Sequence, residues 1–199
     1  MTYVLHIPSE APFVQGGDFP EFFKLVPDLH TRSVLSGVYR YGKRTLTSDE
    51  VPREVVLHKK RKSMPDCFLT TGSLALVTSK VREILEQFDP GLHQFFPIDV
   101  RFKSSTQPEG EYFAMNVTRM QDSIVDDVSS VAPFHGHVSE KMHIHHFRKN
   151  ATVRKFALSG ANLWREKRYP ASFMMSDAFF EALKAQKIKM FRPYKAKEI

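Results

Sequence analysis

The stretch LALVTSKVREILEQFDPGLHQFFPI, residues 74–98, leaves a chain little freedom in its local structure. The apolar run LALV has the length and make-up of a buried strand. Ser79 then stands where a helix N-cap is wanted. Val81, Ile84, Leu85 and Phe88 follow at the three- and four-residue spacing of one helical face. Asp89, Pro90 and Gly91 end that helix, and HQFFPI resumes an extended, aromatic course. The reading is strand, helix, strand.

The pattern recurs in SFMMSDAFFEALKAQKIKMFRPY. Here Ser176 caps a helix that buries Phe179, Ala182 and Leu183, and a short strand with Met190 and Phe191 runs on to Pro193. The two apolar stripes sit one residue apart relative to Ser79 and Ser176. The recurrence therefore suggests two similar strand–helix–strand units without establishing a duplication. Between them, HQFFPIDVRFKS and EYFAMNVTRM read as strands joined by STQPEG as a hairpin connection. Residues 1–51 look irregular and β-leaning, with YVLHI and SVLSGVYRY as their strand-like runs. The expected fold class is α+β, with antiparallel sheets packed against a few amphipathic helices in a single domain over residues 1–199.

Charge and cysteine content narrow the function classes. Cys67 is the only cysteine, which rules out an intramolecular disulfide and fits a reducing cytosol; a buried small side chain is its expected role. MTYVLHIPSEAPF lacks the basic and apolar regions of a secretory signal, and no apolar run reaches bilayer length. The expected location is cytoplasmic, with no membrane partner. The net charge of +7 invites a nucleic-acid reading, yet Lys59–Lys60–Arg61–Lys62 has no binding module around it and reads as a solvated loop.

Enzyme templates fare poorly. FHGHVSEKMHIHHF, residues 134–147, could fold back so that His135 and His137 face His145 and His143 across a hairpin. Four imidazoles there would suit zinc, and a metal-dependent hydrolase or nuclease is the alternative function they imply. Against it, imidazoles on a flat hairpin need not converge on one point, and no histidine follows His146 to complete a ββα-metal nuclease pattern. Asp122, Asp126 and Asp127 form the densest acidic group but lack histidine or glutamate at motif spacing. Ser79 and Ser176 sit in no nucleophile elbow, and QGGDFP is no phosphate loop. The expectation is a binding protein with no catalysis and no cofactor.

Several pieces of residues 52–199 resemble a bacterial immunity-protein family, immunity family eleven. They are Pro65–Asp66, the strand–Ser–helix opening Leu76–Val77–Thr78–Ser79, Pro90–Gly91 and His93–Gln94–Phe95–Phe96–Pro97. EYFAMNVTRMQDSIVDDVSS and LWREKRYPASFMMSDAFFEALKAQKIKMFRP extend the likeness to about residue 194, with Trp164 where an aromatic is usual. The resemblance implies a protein that neutralises a cognate secreted toxin domain, often a nuclease, by binding it. On that reading Asp122, Asp126 and Asp127 are the first candidates to meet a basic toxin cleft, because they oppose the chain's own charge.

Overall fold

The computed structural model describes residues 1–7, 12–125, 151–155, 160–167 and 169–199. In the first half the strands are β1 (Thr2–His6), β2 (Val14–Gln15), β3 (Gly17–Asp18), β4 (Glu54–Leu57), β5 (Cys67–Thr70), β6 (Ala75–Thr78) and β7 (Gln94–Phe102). The second half holds β8 (Glu111–Asn116), β9 (Met120–Gln121), β10 (Thr152–Val153), β11 (Leu163–Glu166), β12 (Tyr169–Ser176), β13 (Arg192–Lys195) and β14 (Lys197–Glu198). The helices are α1 (Pro20–Leu25), α2 (Leu29–Tyr41), α3 (Ser79–Phe88) and α4 (Asp177–Ala185). The fold is α+β.

Among the described residues the strands form a seven-stranded sheet, β2-β5-β6-β8-β7-β4-β3, a five-stranded sheet, β13-β1-β12-β11-β9, and the parallel pair β10-β14. The two large sheets are built alike. In one, the hairpin β5–β6 leads through α3 to β7, and β8 is inserted antiparallel between β6 and β7. In the other, the hairpin β11–β12 leads through α4 to β13, and β1 is inserted antiparallel between β12 and β13. The registers agree: Thr78 faces Tyr112 and Val77 faces Phe113, while Ser176 faces Thr2 and Met175 faces Tyr3. Outer strands follow the same rule, with β2 parallel to β5 and β9 parallel to β11. Even β4 beside β7 has its counterpart in β10 beside β14.

Each half therefore donates its first strand to the sheet of the other. β1 completes the sheet of the second half, and β8 completes that of the first. The exchange welds one core. Val77, Val81 and Leu85 from the first half pack with Met175, Phe179 and Leu183 from the second, and with Leu5 and Met115 from the exchanged strands. Phe88 meets Phe179 edge-on at 5.8 Å where α3 contacts α4. Burying each such side chain contributes about 1.5–3 kcal/mol.

Strand alternation sends the remaining side chains outward to two further clusters. Phe68, Leu76 and Tyr112 pack under α1 and α2 with Phe22, Leu35 and Val38. Val4, Trp164 and Met174 pack against Val153 and Ala196 on the far side of the five-stranded sheet. Both sheets are thus covered on both faces.

The parallel pairs β2–β5, β4–β7, β9–β11 and β10–β14 make the sheets mixed and not antiparallel throughout, and Met190 and Phe191 precede β13 instead of lying in it. Two further expectations need correcting. SVLSGVYRY is not a strand but most of α2, whose buried Leu35, Val38 and Tyr39 sit three and four residues apart. Asp28 caps this helix by accepting from the Thr31 amide at 2.6 Å. Gly42 closes it in the left-handed region at φ 59°. The second correction concerns α3. Its N-cap is Thr78, not Ser79, which is the first helical residue. Counted from Thr78 and Ser176, the buried pairs Val81/Leu85 and Phe179/Leu183 fall at the same third and seventh positions. The one-residue offset between the stripes disappears. Ile84 and Phe88 flank this stripe, half-buried against the core.

Candidate functional site

Of the sequence-selected acidic group, Asp122 lies just past β9, half exposed, with its carboxylate 3.9 Å from the Arg154 guanidinium. Asp126 and Asp127 lie outside the described residues, as do His135, His137, His143 and His145. The proximity of the three aspartates and of the four histidines is thus a matter of sequence. Among the described residues, no group of three or more histidine, cysteine or acidic side chains could hold a metal ion.

Cys67 is fully buried in β5, and burial pushes its thiol well above the usual range, so it stays protonated and unreactive.

The chemistry that sequence reading did not find is buried polar architecture. Asp89 ends α3 and accepts from the Asn162 amide at 2.7 Å, the Leu163 amide at 2.8 Å and the Asn162 side chain at 3.1 Å. His93 Nε2 lies 3.3 Å from the same carboxylate. Burial alone would raise this carboxyl, but the hydrogen bonds from His93, Asn162 and Leu163 outweigh it and hold it below the usual carboxylate range. Ser176 joins the network by donating to Asn162 Oδ1 at 2.7 Å while accepting from the Phe179 amide at 3.1 Å. Serine, histidine and aspartate are all present, but the order is wrong for acyl transfer. The serine bonds Asn162, and the histidine lies across the carboxylate from it. The network ties the end of α3 to the start of β11.

Arg165, the residue next to Trp164 in β11, is 1% exposed. Its guanidinium donates to the carbonyls of Val117 (2.9 Å), Arg40 (2.6 Å), Pro170 (2.7 Å) and Tyr39 (3.0 Å). It also stacks 4.4 Å above the Phe173 ring. Burial pulls its pKa down to about 9, which leaves it cationic at neutral pH. It serves the last turn of α2, where carbonyls converge and a cation is favoured. With its donors engaged it is a structural cation and not an anion receptor.

A groove of about 690 Å³ runs between α4, the turn after it and β13. Phe13, Phe180, Met190 and Phe191 give it an apolar floor, and Lys184, Lys187, Lys189 and Arg192 stand on its rim. The turn holds two non-glycine residues in left-handed backbone, Lys187 at φ 57° and Phe191 at φ 59°. For a side chain as bulky as Phe191 this conformation is rare and costs energy. The sequence signal was KAQKIKMFRP, whose lysines alternate with apolar residues and read as part of a basic tail.

No helix among the described residues is long and apolar enough to cross a membrane. A search of curated proteins finds no match. Among protein families, the one described as Immunity protein family (Imm11) matches residues 9–198. That span takes in the resemblance noted over residues 52–194, and also most of the N-terminal part, which contributed little to it. β2 to β14 and α1 to α4 fall within it. With nearly the whole fold inside the matched region, the chain belongs to the Imm11 immunity protein family.

Proposed function

We propose that this chain protects the bacterium that makes it by binding one secreted toxin domain directly, in the cytoplasm and without catalysis. Membership of an immunity family over residues 9–198 carries the reading. The buried polar groups agree with it, since Asp89, His93, Ser176 and Arg165 are committed to holding the two halves together. In the finer reading the toxin belongs to a polymorphic system and is a nuclease-type domain. Asp122, exposed and followed in sequence by Asp126 and Asp127, supports this as an acidic element facing a basic catalytic cleft.

An inhibitor must outlast its target's turnover, so the expected affinity is nanomolar or better, about −12 kcal/mol. The test is co-expression with the toxin encoded beside the chain's gene, followed by co-purification. A wild type that neither protects cells nor co-purifies with the toxin would refute the immunity role. Protection that survives changing Asp122, Asp126 and Asp127 together to alanine would leave the role standing and remove the acidic contact.

A further inference from the structure

We propose that the groove between α4 and β13 is a toxin-docking surface, and that it takes an acidic segment of the toxin carrying an apolar anchor. The proposal rests on the immunity reading and adds the surface and the chemistry of what it grips. Charge complementarity is the first argument. Lys184, Lys187, Lys189 and Arg192 line the groove, and among the described residues no carboxylate does. Lys187 and Lys189 have no ion-pair partner among the described residues, and Lys184 reaches only Glu181, at 3.2 Å on the exposed helix face. The apolar floor supplies a place for an aromatic or aliphatic side chain inside the ring of cations, the arrangement of a buried anchor within a polar rim.

The internal repeat supplies a second, independent argument. Because the registers of the two halves agree, every residue of this turn has a counterpart after α3. The counterparts of Lys184, Lys187, Lys189 and Arg192 are Glu86, Asp89, Gly91 and Gln94. None is basic, so the fold itself does not require these cations. Asp89 is the residue whose carboxylate receives Asn162 and Leu163 and so closes that corner of the molecule. At the other corner the equivalent position is Lys187, in left-handed backbone, and the groove is open. Where two halves share one architecture, the place at which one departs from the other, at a cost in backbone energy, marks a site kept for something other than folding. A basic groove addresses an acidic part of the toxin, away from any basic cleft that Asp122 would face.

The experiment measures binding of the purified toxin domain to two charge-matched variants. Lys184→Glu/Lys187→Glu/Lys189→Glu reverses the rim, and Lys59→Glu/Lys60→Glu/Lys62→Glu reverses an exposed basic run elsewhere. Circular dichroism and a melting curve establish that both fold. The rim variant should bind at least 100-fold more weakly and fail to protect cells, while the control stays within about threefold of wild type. Equal losses in the two variants would assign the effect to net charge and overturn the groove. An unchanged rim variant would overturn it as well. So would a rim variant that keeps its toxin affinity but loses retardation of a single-stranded RNA oligonucleotide, since the ligand would then be nucleic acid. If the wild type itself neither binds nor protects, the immunity reading falls and the groove falls with it. If the wild type binds and protects while the rim variant matches it, only the groove falls.

Discussion

Replacing Gly42 by alanine should damage this protein far more than the same replacement at Gly91, although both glycines occupy left-handed backbone. Their φ angles are 59° and 64°. Each alanine therefore carries the same conformational cost, about 1–2 kcal/mol. The surroundings differ completely. A methyl group on Gly91 meets nothing within 4 Å, whereas on Gly42 it would lie 2.2 Å from the Val117 carbonyl oxygen and 2.4 Å from Arg165 Nε. Those two atoms are partners in a buried hydrogen bond of 2.9 Å. The methyl can enter only by parting them, and the guanidinium cannot retreat without stretching its bonds to Tyr39, Arg40 and Pro170. Losing one or two hydrogen bonds to a buried cation costs about 1.5–3 kcal/mol each. Gly42→Ala should thus lose about 2.5–8 kcal/mol, a large part of the 5–15 kcal/mol typical of a domain. Urea unfolding followed by tryptophan fluorescence is a direct assay, because Trp164 adjoins Arg165 in β11. Equal midpoints for Gly42→Ala and Gly91→Ala would refute the reasoning and mean that Arg165 does not hold the end of α2.

Four further outcomes are expected. Asp89 has a lowered carboxyl pKa in the folded protein, so its stabilisation is complete above the unfolded value, near 3.9, and is lost as pH falls through the lower folded value. The stability gap between wild type and Asp89→Asn, measured by urea midpoints, should therefore narrow as pH drops below about 4. Ser176→Ala should cost about 1–2 kcal/mol in thermal unfolding, and Thr78→Ala less, because only Ser176 accepts from a helix amide. Elemental analysis should find no stoichiometric metal, and about one zinc per chain that disappears in His143→Ala/His145→Ala would overturn that expectation. We also propose that residues 1–199 behave as a single domain, so that fluorescence and far-ultraviolet dichroism report one coincident unfolding transition; separated transitions would split the domain.

What the sequence made legible was local. α3 and α4 were readable because Val81, Leu85, Phe179 and Leu183 follow the helical period and lie between an apolar strand and a turn. α2 was missed because Val34, Val38 and Tyr39 favour strands singly, although Asp28 and Gly42 bracket it with cap chemistry. The cap of α3 was misplaced by one residue, since threonine and serine stand side by side and both suit the position. That slip hid the match between the halves. The insertion of β1 beside β12 was out of reach, because the pairing of Val4 with Met174 leaves no mark within any short window. The groove was hidden for a related reason. Its lysines resemble a solvated tail until Phe13, remote in sequence, is brought beneath Phe191 at 6.4 Å between ring centres.

The exchange of β1 and β8 sets a timetable for synthesis. Val4 is made about 170 residues before Met174, its partner across the sheet. At roughly 5–20 residues per second, that interval is about ten to thirty seconds. Throughout it the apolar segment YVLH has no strand to join, and it is the kind of exposed edge that seeks one in neighbouring chains. β8 meets no such delay, because β6 and β7 are already made when it emerges. The seven-stranded sheet can thus form during translation, while the five-stranded sheet must wait for β12 and β13. The proposed docking groove is built on α4 and β13, so it is finished last, and a ribosome stalled before residue 170 yields no docking surface at all.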